Sequence, residues 1–353
     1  MGNIKEKNSR ILKGKKQIEF KTLITFGNTF TRILLAFIVG AAFFTIHYKT
    51  TNERTLEDST WLLPVILFVL FASLEIGMHF IRNMLFEMEV RLNPKDINKF
   101  KLSIKKIIDR KKMFFTGLFF AILYVVLGML IHTPYNNTEA MTSFIIFFSI
   151  IGFFSGEAIR INYCIYKIIL EFIKKKESVF DFTDPDGCAG IEFLGNSLIM
   201  FSSIALLNGV ISSIFIVNFN FTADIPYVAL YIKYFWLLLP YVAAITIIIG
   251  PAIPIHSALI SYKLFIETGL TDKVEQKRHS MNKKNLSALG SSKLQGEYSF
   301  IQKQREDIHV LKTWPFNIRS NMKYITFLTT NSIATYITTG QNFIKKYLPE
   351  ILK

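Results

Sequence analysis

Residues 61–81 read WLLPVILFVLFASLEIGMHFI, and this stretch decides the fold. It holds one carboxylate, Glu75, one imidazole, His79, and neither Lys nor Arg. A helix needs about 20 mostly apolar residues to cross the hydrocarbon core of a bilayer. Spanning as a helix also closes every backbone hydrogen bond within the segment, as lipid demands. Five more such stretches occur: Thr29 to His47, Met113 to Ile131, Met141 to Ile161, Leu194 to Val217 and Phe235 to Ile255. The pattern predicts an all-α, polytopic membrane protein with about six transmembrane helices.

Composition agrees. The 353 residues are 51% hydrophobic, with 34 Phe and a mean hydropathy of +0.34. A soluble chain of this length would be less apolar and a purely intramembrane one more so. Spans and a substantial polar part therefore alternate. The net charge of +15 would suit nucleic acid, but loops retained in the cytosol collect Lys and Arg for a simpler reason, so nucleic-acid binding is set aside. Cys164 and Cys188 suit neither a disulfide framework nor a zinc site, and no cofactor is expected. The polar, basic residues 1–27 are too long for the first part of a cleaved signal peptide, so the first apolar run is expected to stay as a span. Richness in Phe, Ile, Lys and Asn points to an AT-rich genome and a prokaryotic plasma membrane.

Orientation follows from charge. The N-terminal arm carries Lys5, Lys7, Arg10, Lys13, Lys15, Lys16 and Lys21. The second-to-third connection carries Arg91, Lys95, Lys99, Lys101, Lys105, Lys106, Arg110, Lys111 and Lys112, and the fourth-to-fifth carries Lys174, Lys175 and Lys176. The alternate loops hold only Lys49, Arg54 and Lys233, with Glu53, Glu57 and Asp58 in the first. Basic loops inside and poor loops outside place both termini in the cytosol.

Several helices should overrun the bilayer. From Trp61 the helical pattern continues to Leu92, roughly 48 Å of helix, before Asn93-Pro94 stops it. A new helix starts near Asp96 with Ile97, Phe100, Ile104, Ile107 and Ile108 on one face, and is expected to continue into the third span. The fourth span should run on to about Lys176. Gly250-Pro251 and Pro254 predict a kink or break near the inner end of the sixth span. Residues 271 to 312 read as one or two soluble helices interrupted around Gly290-Ser291-Ser292, followed by a turn at Trp314-Pro315-Phe316-Asn317. Tyr324 to Ile344 carries no charge and reads as a helix on the collar or at the interface. The division is a basic arm (1–27), a transmembrane domain (28–256) with a helical collar (82–112 and 162–193), and a helical C-terminal region (257–353).

The second and fourth spans echo each other. Phe71-Ala72-Ser73-Leu74-Glu75 matches Phe153-Phe154-Ser155-Gly156-Glu157, and Glu89 then matches Glu171. A duplicated two-helix unit would explain this. A carboxylate inside a span faces a cavity or a partner. Glu75 has His79 and Arg82 on its own face, and Glu157 has Arg160. These are either internal clamps or a cluster of carboxylates at the cytosolic mouth of an ion or proton pathway. A divalent metal held by the two acids and His79 is a further reading.

The second constellation joins the fourth and fifth spans: Asp181, Asp184, Pro185, Asp186, Gly187, Cys188, Ala189, Gly190 and Glu192. Its Pro and Gly specify tight turns, and its carboxylates can cap the next helix. A calcium loop fails, because Phe182 and Phe193 fall where ligands are needed. Cys188 is expected to be inert, although a nearby helix N-terminus would lower its pKa. Pro185-Asp186-Gly187-Cys188-Ala189-Gly190, with Leu194-Gly195 following, resembles a Pro-Asp-x-x-Gly-Gly segment of uncharacterised prokaryotic multi-span membrane proteins. Ala189 stands where that segment carries Gly. The resemblance covers about a dozen residues and implies a membrane protein without implying an activity.

The fifth span is rich in small and polar residues: Asn196, Ser197, Ser202, Ser203, Asn208, Gly209, Ser212 and Ser213. Close helix packing or a water-lined face would each account for them. No phosphate loop, zinc-protease motif or nucleophile motif is present. The leading expectation is therefore a non-enzymatic pore or transport protein, an oligomeric ion channel. The alternative is a membrane-anchored interaction or signalling protein, such as a prokaryotic defence effector, whose region 257–353 binds a cytosolic partner.

Overall fold

The computed structural model describes residues 28–51, 62–130, 138–175, 179–184, 186–218, 226–281, 288–315 and 326. Among them the chain is all-α: α1 (Thr29–Thr51), α2 (Leu62–Arg91), α3 (Pro94–Ile107), α4 (Arg110–Leu130), α5 (Thr138–Ile173), α6 (Glu192–Asn218), α7 (Pro226–Met281) and α8 (Ala288–His309). Six of these segments are long and apolar enough to cross a membrane. The protein is an integral membrane protein. The arm 1–27, the acidic part of the first loop and the uncharged stretch 324–344 lie outside the described residues, save Thr326.

Helix α5 is the hub. It touches α1, α2, α3, α4 and α7, while α6 bridges α2 and α7. Lipid is as apolar as Leu, so these helices are held by close packing rather than by escape from water. Where α1 and α2 meet α5, Phe43 lies 4.6 Å from Phe147 and Phe71 lies 4.5 Å from Phe154, ring centre to ring centre. Against α4 the fit is tighter. A Cβ on Gly152 would stand 2.6 Å from the Phe120 carbonyl, and one on Gly156 2.6 Å from the Thr116 carbonyl. Only hydrogen fits at either position, so the two backbones meet directly.

The expected overruns are present. Helix α2 is 30 residues long and α5 is 36. Beyond the spans their ends pack with α3 into a collar at the end of the bundle that carries the basic loops. Phe100 and Ile104 of α3 are buried, with Phe100 against Phe172 of α5. Salt bridges ring the collar: Lys175–Asp96 at 3.3 Å, Lys101–Glu89 at 3.2 Å and Arg91–Asp184 at 3.3 Å.

Three sequence expectations need correction. Helix α3 does not continue into the third span. Ile108 leaves helical geometry at φ −83°, ψ 87°, and the Asp109 carboxylate accepts the Lys111 amide at 3.0 Å, capping a fresh helix. Of the kink or break expected near the inner end of the sixth span, the break does not occur. Helix α7 runs unbroken for 56 residues with Pro240, Pro251 and Pro254 inside it. Each proline removes one backbone donor, but packing holds the register: Pro251 and Ala252 are buried and Ile255 is fully so. The same helix crosses residues 256 and 257 without interruption. Lastly, Gly290-Ser291-Ser292 sits inside the first turns of α8 rather than in a loop.

Helix α7 extends well past the membrane and α8 folds back along it. Lys277 pairs with Glu297, and the Lys263 ammonium donates to the His309 carbonyl at 2.9 Å. Val310 to Pro315 then cross the basic end of the bundle. There His256 stacks on Trp314 at 4.1 Å and its Nδ1 lies 2.8 Å from the Thr313 carbonyl oxygen.

Candidate functional site

An elongated cavity of about 320 Å³ lies between α2, α5, α6 and α7, with Tyr124 entering from α4. Its lining runs from Ile66 to Ile81 on α2 and from Phe201 to Ile216 on α6. At 1.5 Å per residue that is a shaft roughly 22 Å long, most of the thickness of a hydrocarbon core. Its walls exist because small residues hold neighbouring helices in contact beside it. Gly209 of α6 lies directly against Pro240 of α7, and the Ser202 hydroxyl donates to the Ala244 carbonyl at 2.6 Å.

The lining is mostly apolar, and its polar side chains, Ser73, Tyr124, Ser155, Asn162, Asn208 and Ser212, are spread along it. On α2 the middle of the lined stretch is Ser73, on α6 it is Asn208, and on α5 Ser155 lies near it. The Asn208 amide donates to the Ser73 hydroxyl oxygen at 2.7 Å and to the Ile204 carbonyl at 2.9 Å. Tyr124 and Ser155 also line the cavity, and their hydroxyls are hydrogen-bonded. Among the described residues no Asp, Glu, Lys, Arg or His lines the shaft.

The in-span carboxylates sit outside it. Glu75 is gripped from α1, whose Arg32 donates through Nε at 2.7 Å and again through its terminal nitrogen, and whose Thr29 hydroxyl donates at 2.6 Å. Its partner is thus neither His79 nor Arg82. His79 instead lies 3.2 Å from the Asn83 amide, and Arg82 is exposed. Glu157 is fully buried and has an interaction of its own. Arg160 places its guanidinium over the Tyr163 ring, 4.8 Å from the centroid. Among the described residues no three of His, Cys, Asp and Glu gather as a metal-ligand set.

No protein-family model, curated protein or solved structure matches this chain.

The turn between α5 and α6 is a structural knot. One Asp186 carboxylate accepts the amides of Cys188 at 2.7 Å, Gly190 at 2.9 Å and Glu192 at 3.1 Å, which caps α6. Asp184 takes Arg91, whose guanidinium also lies over Phe193 at 5.1 Å. Gly187, Ala189 and Gly190 all have left-handed φ, at 67°, 53° and 81°. Gly190 is needed twice, because a Cβ there would meet Arg91 at 2.5 Å. The crossing segment closes the knot: the Lys312 amide donates to the Gly187 carbonyl at 2.9 Å and the Cys188 thiol to the Trp314 carbonyl at 3.5 Å. Cys188 is 1% exposed. Burial, with Asp186 adding to it, pushes its thiol up to about 11, against the lowering expected from the helix terminus.

Arg32, Tyr124 and the Gly152/Gly156 pair were not singled out from sequence. A signal existed for two of them. An arginine four residues into an apolar run needs a carboxylate partner, and Gly152-Phe-Phe-Ser-Gly156 is a small-x-x-x-small spacing. Tyr124 had none, since one Tyr in an apolar helix looks like any aromatic.

Proposed function

We propose that this is a membrane transport protein whose passenger lodges in the central shaft and carries no net charge. The observation that carries the reading is the lining itself: a cavity of about 320 Å³ with, among the described residues, no acidic, basic or imidazole side chain. An ion stripped of water in such a place would lack compensating charge. The proportions, apolar walls with a few placed polar groups, are those of small-molecule sites. The lining residues come from one chain. On this reading the Arg32–Glu75 pair pins α1 to α2 and is no ion filter. The basic collar faces the cytosol, as the charge pattern of the loops requires.

The test combines two measurements on full-length protein in liposomes. Ion flux should be absent and unchanged by the Glu75→Gln, Glu157→Gln double variant. An uncharged apolar fluorophore should load saturably and be displaced when Ala205→Phe fills the shaft. Ion flux that depends on the two carboxylates would sink the proposal and restore the channel.

A second reading rests on the α7–α8 hairpin. About 26 residues of α7 lie beyond the span, roughly 39 Å, and Phe265 and Phe300 stand largely exposed there. A membrane-anchored interaction protein would use this arm. Capture of a specific cytosolic protein by wild type, lost in Phe265→Glu and Phe300→Glu, would favour it.

A further inference from the structure

We infer that Arg160, Tyr163 and Lys167 hold the phosphate of an anionic lipid in the leaflet at the basic end of the bundle, the cytosolic one by the charge pattern of the loops. None of the three lines the shaft, so the inference does not depend on the transport reading. Phe153, Arg160 and Lys167 recur every seven residues and share one edge of α5. On that edge Phe153 meets Phe114 of α4, 5.7 Å between ring centres, and Phe114 and Phe115 are exposed. The edge therefore faces lipid. Two turns past Phe153, where the fourth span ends, it changes from apolar to basic. Exposed Ile159 and Tyr163 flank Arg160 there, and a Tyr at this depth is typical of the membrane–water boundary.

Two cations converge on one ring. The Arg160 guanidinium lies 4.8 Å from the Tyr163 centroid and the Lys167 ammonium 5.6 Å from it. Among the described residues neither cation makes a salt bridge. The acids within a turn of them on α5 and α4 are taken. Asp109 accepts the Lys111 amide at 3.0 Å and pairs with Lys112 at 3.7 Å, and Glu171, one turn beyond Lys167, pairs with Lys174 at 2.6 Å. Gly156 lies against Thr116, so one turn on Arg160 stands level with Lys112 of the antiparallel α4, a third cation. Arg160 Nε is buried without a hydrogen-bond partner. A side chain that merely reached for water would keep its donors hydrated. With Nε shut away, the charge must be answered at the terminal nitrogens, on the half-exposed side of the residue. A phosphate answers it, with oxygens for the guanidinium fork and for the ammonium together. Because the edge opens on the bilayer, that phosphate belongs to a lipid, and basic clusters at this depth attract anionic headgroups.

The experiment titrates full-length protein in detergent with phosphatidylglycerol or phosphatidylcholine and counts bound lipids by native mass spectrometry. Phosphatidylglycerol is expected to bind about tenfold tighter or more, since two uncompensated cations each contribute about fivefold. Arg160→Gln, Lys167→Gln should erase that preference. Lys167→Gln alone should reduce it about fivefold while leaving the buried Arg160 in place, so the test does not hang on the packing of Arg160. The control is Lys105→Gln, Lys106→Gln, which removes as much charge from exposed positions on α3 and should keep the preference. Equal affinity for the two lipids in wild type, a preference that survives the double variant, or an equal loss in the control would overturn the inference. Inorganic phosphate that displaces phosphatidylglycerol at equal concentration would overturn the assignment to a lipid.

Discussion

Arg32 and Glu75, 43 residues apart in sequence, form a two-pronged ion pair that fastens the start of α1 to the middle of α2. Arg32 is 4% exposed, so neither water nor a second acid from solution can replace its partner. Removing one member leaves a charge inside the bundle without compensation. Arg32→Ala and Glu75→Gln should each lower stability by about 3–5 kcal/mol. The apolar double replacement Arg32→Met, Glu75→Leu should recover most of the loss. Thermal melting in detergent reads all three. Single variants as stable as wild type would deny the pair its role.

The backbone contact between α4 and α5 makes a second prediction. Gly156→Leu must push Thr116 away and should cost more than Gly77→Leu, since a Cβ at Gly77 meets nothing within 4 Å. Gly156→Ala should destabilise by about 1–3 kcal/mol. Monodispersity after heating compares the variants directly, and equal behaviour at positions 77 and 156 would contradict the packing.

Ala189 holds φ 53°, a region that strains a residue with a Cβ. Ala189→Gly should therefore stabilise by roughly 0.5–1 kcal/mol, less than the strain itself because glycine also loosens the unfolded chain. Gly190→Ala should do the opposite and more strongly, because strain adds to a collision with Arg91. Chemical denaturation of the two variants should move in opposite directions.

Cys188 should resist alkylation. With its thiol pushed up to about 11, only roughly one part in a thousand is thiolate at pH 8, far below a free thiol. Iodoacetamide should modify it slowly in folded protein and rapidly after unfolding. A thiol raised in the folded state contributes stability that is complete below its unfolded value and lost as pH climbs toward 11. Wild type should lose stability over that alkaline window more steeply than Cys188→Ala. Parallel pH profiles would contradict this.

Much of this architecture was written in local pattern. Runs of about 20 apolar residues demand helices in lipid whatever lies around them, and Asn93-Pro94 ends α2 by its own sterics. The overrun of α2 and α5 was legible for the same reason: periodicity continues and no breaker intervenes. What pattern misjudged was decided by neighbours. The prolines of α7 read as a kink or break, and of the two the break is absent, because contacts along the bundle keep that helix continuous. The helix starting near Asp96 was expected to run on into the third span, yet Asp109 caps a new one.

The site divides the same way. Sequence alone established that Glu75 and Glu157 lie in spans, that α6 is rich in small polar residues and that Asp186 sits before a helix. It could not say that Glu75 answers to Arg32, nor that Ser73 and Asn208, 135 residues apart, meet at the middle of a shaft. Insertion into a bilayer depends on each segment's own hydrophobicity, which is additive along the chain. Which faces turn inward depends on shape complementarity between helices, and that belongs to pairs of segments rather than to either one. The spans were therefore set residue by residue, while the cavity and the Ser73–Asn208 contact in its wall came into being only when α2, α5, α6 and α7 packed together.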